Sequence, residues 1–302
     1  MKVEVEILAS HNIDKLKWDA CISKSHHSMI YAYSFYLDHL ADNWNGIIIN
    51  DYEAVMPIPW RKKLGIIYSY DVPFIQQLGW YSPIEKEYSE IFLKALFSFC
   101  SYGGYYFNHH NNVIIKDAVA CNNYVLPLLA GYKMIAAAYS ADMRYNLKKS
   151  LNTNLFYKYA EADEAVEMYK TLYAHRMPHI TNEGYGQFRK LSVLLTQKNS
   201  AQVRKVCNAQ NDTLSIALLL QHDKRIYNLM NSTVDEGRKK EANHFLFDAI
   251  FREFAGNDIV FDFEGSDIPG IKNFYEKTGA VNQPYKKIHF NRLPFPLRHI
   301  KS

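Results

Sequence analysis

The chain has 302 residues, 48% of them hydrophobic and 22% charged, with 35 basic residues against 31 acidic ones. This is ordinary globular usage, long enough for two domains, and it excludes a disordered or collagen-like chain. The net charge of +4 is mild and dispersed, which argues against general nucleic-acid binding while tolerating an anionic ligand.

Four cysteines occur without a Cys-x-x-Cys pair, so neither a disulfide framework nor a zinc knuckle is expected. His26-His27 and His109-His110 are adjacent pairs, which on a strand would point to opposite faces; no metal site is expected from them. The opening "MKVEVEILAS" lacks the apolar core of a signal peptide, and no apolar run reaches membrane-spanning length. The expected address is the cytoplasm, without membrane insertion.

In chain order, "MKVEVEILA" reads as a strand, and helices are expected at 13–23 and 33–41. "GIIIN", "EAVMPIPW" and "GIIYSY" form a meander whose second strand, carrying Pro57 and Pro59, should be an edge or irregular. A helix at 87–100 and a strand at 105–109 follow. After a joint near 130–150 come helices at 163–174 and 185–197, then a second meander of 201–209, 213–221 and 225–232. Ala242, Phe245, Leu246, Ala249 and Ile250 recur at helical spacing over 241–254. The stretch "DIVFDFEGSDIPGIKNFYEKTGA" then predicts a strand at 258–264, a turn at Gly265 and a helix near 268–278. Asp267 is its expected N-cap, Pro269 lies in its first turn and Gly279 stops it. "YKKIHFNRL" is the closing strand. Each half thus runs helix, helix, three-strand meander, helix, strand. The fold class expected is α+β (mixed α/β): two copies of one domain, 1–135 and 136–302, each a mostly antiparallel sheet flanked by helices.

The order of the second half resembles the GNAT fold, that of the acyl-CoA N-acyltransferase superfamily. "GIKNFYEKTGA", 270–280, is similar to the segment of that superfamily in which a helix carries a Tyr and ends in Lys, a variable residue, Gly and an apolar residue. The doubling, with "MRYNLKKSLN" at 143–152 leading the second copy, resembles the Fem-type aminoacyltransferases. The resemblance implies an N-acyltransferase that moves an acyl or aminoacyl group from acyl-CoA or aminoacyl-tRNA to a primary amine of a small molecule, peptide or glycan. In coenzyme A-binding members the turn after the third meander strand carries a doubled glycine whose N–H groups hold the pyrophosphate. Here it reads "NSTVDEGRKKEANHF", with Gly237 alone and the basic residues Arg238 and Lys239 as candidate donor contacts. Fem-type proteins also lack that loop, so the donor stays open.

Strand alternation would put Asp262 and Glu264 on one face, over one patch. In the resembled fold this strand parts from the third meander strand to admit the donor, and a carboxylate there could take the amine proton. The same acids could instead accept N–H bonds from the following helix or pair with a cation. Tyr275 is a candidate general acid or a core residue. Asn231 and Ser232 end the third meander strand, where backbone groups could hold an oxyanion. Arg144 and Lys148, four apart, share a helix face that could clamp a phosphate or carboxylate, or simply be solvated. A protein that keeps the fold for binding or scaffolding, without catalysis, is the alternative.

Overall fold

The computed structural model describes residues 3–265 and 267–300. The first strand, β1 (Val5–Ala9), leads into α1 (Lys15–Lys24) and α2 (Ser34–Leu40). Asp14 caps α1, its carboxylate accepting from the backbone N–H groups of Leu16 and Lys17 at 3.1 Å each. Then come β2 (Trp44–Ile49), β3 (Ala54–Lys63), β4 (Ile66–Ser69), α3 (Ser89–Phe99), β5 (Tyr102–Phe107) and β6 (Val119–Cys121). All of β2 is buried, its apolar residues together with Asn45, whose Oδ1 accepts from Trp60 Nε1 at 2.7 Å.

β3 is not an edge strand. It lies between β2 and β4, and its two sides are used in turn: Ala54–Pro59 pairs with β2, and Trp60–Lys63 pairs with β4. The Val55 N–H points away from β2, to the Tyr81 carbonyl at 2.9 Å. By alternation the absent donors of Pro57 and Pro59 fall on that same side, before β4 begins, so they break no ladder bond.

The second stretch of chain contains β7 (Tyr124–Pro127), α4 (Tyr132–Ala137), α5 (Ala141–Leu151), β8 (Phe156–Ala160), α6 (Ala162–Tyr173) and α7 (Asn182–Gln197). It continues with β9 (Ala201–Cys207), β10 (Thr213–His222), β11 (Arg225–Thr233), α8 (Asp235–Lys239), α9 (Ala242–Phe254), β12 (Val260–Asp262), α10 (Pro269–Lys277) and β13 (Val281–Asn282). β14 (Tyr285–Asn291) and the short α11 (Leu297–Ile300) follow.

The chain divides into two compact units, residues 1–121 with 284–302, and residues 122–283. Each holds a seven-stranded mixed sheet, in the orders β1-β2-β3-β4-β5-β14-β6 and β13-β7-β12-β11-β10-β9-β8. The expected division at 135/136 is corrected by these pairings. "YKKIHFNRL" does not close the second copy: Lys286–Asn291 pairs with β5 and Tyr285–Lys287 with β6. Tyr124–Pro127 goes the other way, between β12 and β13.

In the second unit α9 packs its apolar stripe onto the sheet. Leu246, Phe247, Ile250 and Phe251 are buried there with Phe261 and Phe263, and the Phe247 ring lies 5.4 Å from that of Phe263. Each such side chain contributes about 1.5–3 kcal/mol when fully buried. Among the described residues no helix is long and apolar enough to cross a membrane.

Candidate functional site

β11 and β12 run parallel and pair at three rungs only, Arg225 with Val260, Ile226 with Phe261 and Tyr227 with Asp262. β12 ends there, while β11 continues to Thr233 with β10 along its other side. No strand among the described residues covers the remaining β11 edge. Local chain geometry produces this parting on both sides. A bulge places Met230 opposite Leu218 and Asn228 opposite Leu219, leaving Leu229 as the extra residue, which bends β11. On the other side Glu264 and Gly265 take φ values of 65° and 61°, turning the chain out of the sheet.

The turn explains Asp262. The residue is wholly buried, and its carboxylate accepts from Arg225 Nη1 at 2.5 Å, Asn123 Nδ2 at 3.3 Å and the Glu264 backbone N–H at 2.9 Å. It ties β12 to β11 and holds the turn that follows. The expected face shared by Asp262 and Glu264 does not exist, because the strand stops at Asp262 rather than at residue 264. Asp267 is not the cap of α10 either. Ile268 occupies that position, and Asp267 accepts from Asn122 through its backbone N–H and its Nδ2 at 3.4 and 2.7 Å. Pro269 at the start of α10 and Gly279 after its end, with φ 86°, are where the sequence puts them.

Glu264 keeps part of its surface in solvent but is crowded by protein on the rest, and burial pushes its carboxyl up to about 8. Tyr275, on α10, is 9% exposed, with its ring 4.4 Å from Phe263. Burial pushes its phenol well up, aided by the charges of Glu264, Tyr169 and Asp262. So the structure gathers Glu264 and Tyr275, and adds Tyr169 from α6, whose own phenol burial pushes up to about 12. On the uncovered part of β11, two buried polar atoms, Asn228 Oδ1 and Ser232 Oγ, have no hydrogen-bond partner among the described residues. Buried groups of this kind call for a water or a ligand.

The other candidates serve the frame. Asn231 Nδ2 bonds to the Ile216 carbonyl at 3.2 Å and to Asn243 Oδ1 at 3.0 Å, tying β11 to α9. Arg238 pairs with Asp235 inside α8, and Lys239 is exposed. Gly237 is buried there, so close to β10 that a Cβ would stand 2.3 Å from the Leu214 carbonyl oxygen. The turn after β11 is therefore a short helix with Asp235 and Glu236 in its first turn, followed by Glu241, which pairs with Lys149 at 2.7 Å. Arg144 and Lys148 are exposed on α5, the former donating to the Tyr139 carbonyl.

No family model matches the chain, and no curated protein matches its sequence. Solved structures do match. FemX is similar over 100% of both chains, with a TM-score of 0.64 at 12% identity. The fold is the tandem GNAT fold of the Fem type. L-PGS from Bacillus licheniformis matches over 95% of each chain, with a TM-score of 0.54 at 12% identity. A conserved protein from Bacteroides thetaiotaomicron matches over 96% of this chain and 100% of its own, with a TM-score of 0.58 at 9% identity. Within this GNAT-like frame the β11–β12 parting is built from this chain's own bulge and turn. Two of its residues escape sequence reasoning. Tyr169 lies in a helix where an aromatic reads as core, and Asn228 lies inside a strand whose bulge no periodicity announces.

Proposed function

We propose that this protein is an N-acyltransferase that joins a primary amine to an activated acyl or aminoacyl group in the parting between β11 and β12. The amine nitrogen attacks the donor carbonyl carbon, a C–N bond forms, and the bond to the leaving oxygen or sulfur breaks. Glu264 takes the proton from nitrogen. Tyr275, kept protonated by its burial, returns one to the leaving group. The observation that carries this reading is the three-rung pairing, which leaves the rest of the β11 edge for a ligand beside Glu264. Polar groups on that edge, at Asn228 and Ser232, would hold the donor or the developing oxyanion.

The donor we favour is an aminoacyl ester of tRNA rather than acyl-CoA. A pyrophosphate at the turn after β11 would meet the carboxylates of Asp235, Glu236 and Glu241, whose charges oppose it. The test incubates the purified full chain with a panel of aminoacyl-tRNAs or acyl-CoAs and an amine acceptor pool, reading amide products by mass spectrometry. Amide formation from aminoacyl-tRNA, lost in Glu264→Gln, is expected. Thermal stabilisation by a partner protein or glycan, with no transfer from either donor class, would favour a binding protein instead.

A further inference from the structure

The first unit contains a second constellation, unrelated to the acyl-transfer reading. His27, His109 and His110 bring one ring nitrogen each within 4.8 Å of one another. On strands, neighbouring histidines would point to opposite faces. Both pairs instead lie in turns, His27 just after α1 and His109-His110 just after β5.

We propose that these three imidazoles form a binding site for a late divalent transition-metal ion, Zn2+ in the first place. Tetrahedral zinc holds imidazole nitrogen at about 2.0–2.1 Å, which sets ligand nitrogens roughly 3.4 Å apart. The His27 and His110 rings lie stacked, 9° from parallel, so one must turn out of the stack for the nitrogens to converge on an ion; His27 and His109 are only partly buried and His110 is exposed, which leaves room for that turn. The backbone beneath them is held firmly. Asn108 Oδ1 accepts from the backbone N–H groups of His110 and Asn111 at 3.0 and 3.1 Å, and Asn108 Nδ2 donates to the carbonyls of Leu78 and Trp80. The His109 N–H donates to Gln77 Oε1 at 3.1 Å, and both Gln77 and Asn108 are buried. On the other side the His27 N–H donates to Ser25 Oγ at 3.4 Å. The turn is therefore ordered before any ion arrives, which lowers the entropy lost on binding. The set is all imidazole, without a carboxylate, which suits Zn2+, Cu2+ or Ni2+ and not Mg2+ or Ca2+. Three protein ligands leave one coordination position for water or a ligand.

The test uses the full chain without a histidine tag, stripped with chelator and titrated with ZnCl2 against a chromophoric competitor. One equivalent should bind at micromolar Kd or tighter. His27→Ala, His109→Ala and His110→Ala should each weaken it at least tenfold. His26→Ala, which removes an exposed neighbour outside the trio, should not. Co2+ substitution should give the visible bands of a four-coordinate ion in the wild type. Binding of less than half an equivalent by the wild type overturns the site, whether or not the variants fold. So does a folded trio variant that binds Zn2+ as the wild type does.

Discussion

The Arg225 guanidinium meets the Asp262 carboxylate at 2.5 Å, across the whole of the short β11–β12 pairing, and the carboxylate is fully buried. The pair fastens the closed end of the two strands at the point where they begin to separate. Asp262→Asn should therefore act on folding before chemistry. Removing one partner of a buried pair costs about 3–5 kcal/mol. Urea unfolding should show a loss of that order, and what protein stays folded should keep most of its transfer rate. A stable variant with abolished activity would make Asp262, not Glu264, the base.

Glu264→Gln should do the reverse. A placed base contributes roughly 10²–10⁴ in rate, and a loss in that range is expected with the fold intact. The wild-type rate should climb with pH through about 8, where the Glu264 carboxyl ionises, and the variant should lose that rise.

The same residue sets a stability signature. Its carboxyl is raised in the folded state, to about 8 from an unfolded value of 4.5, so the native protein holds a proton that the unfolded chain releases. Its contribution is complete below pH 4.5 and fades as pH rises through 8. Glu264→Gln should thus gain Tm relative to the wild type between pH 5 and pH 9. A flat difference across that window would mean that Glu264 titrates normally.

Tyr275→Phe keeps the ring that packs on Phe263 and removes only the hydroxyl. A fall in kcat of tenfold or more with little change in Tm is expected if the phenol serves the leaving group. Tyr275→Ala should cost about 3–5 kcal/mol through the cavity it leaves. Equal activity for Tyr275→Phe and wild type would reduce the residue to packing.

Gly237→Ala probes the turn after β11. The added methyl would stand 2.3 Å from the Leu214 carbonyl oxygen, so α8 must shift away from β10. Overpacking of this kind costs about 1–3 kcal/mol, which thermal unfolding would register.

Much of this frame is legible in the residues themselves. The apolar stripe of "EANHFLFDAIF" places α9, and the Pro269 and Gly279 signals bracket α10. What periodicity cannot carry is the path of the chain out of regular structure. Glu264 looks like the next residue of a strand, but the Asp262 carboxylate captures its N–H and turns the backbone left-handed. Asp267 has the type of a cap yet is claimed by Asn122, a residue 145 positions away in sequence. Long-range partners of this kind also gather His27 with His109 and His110, and they carry "YKKIHFNRL" to the first sheet.

That return of the last strand has a consequence for biosynthesis. β14 lies between β5 and β6, so the amino-terminal sheet cannot be completed until the ribosome has passed Asn291. The intervening segment, contiguous in sequence, can finish its own sheet earlier. A nascent chain halted after residue 283 would carry a finished later module and an earlier one still awaiting its sixth ribbon.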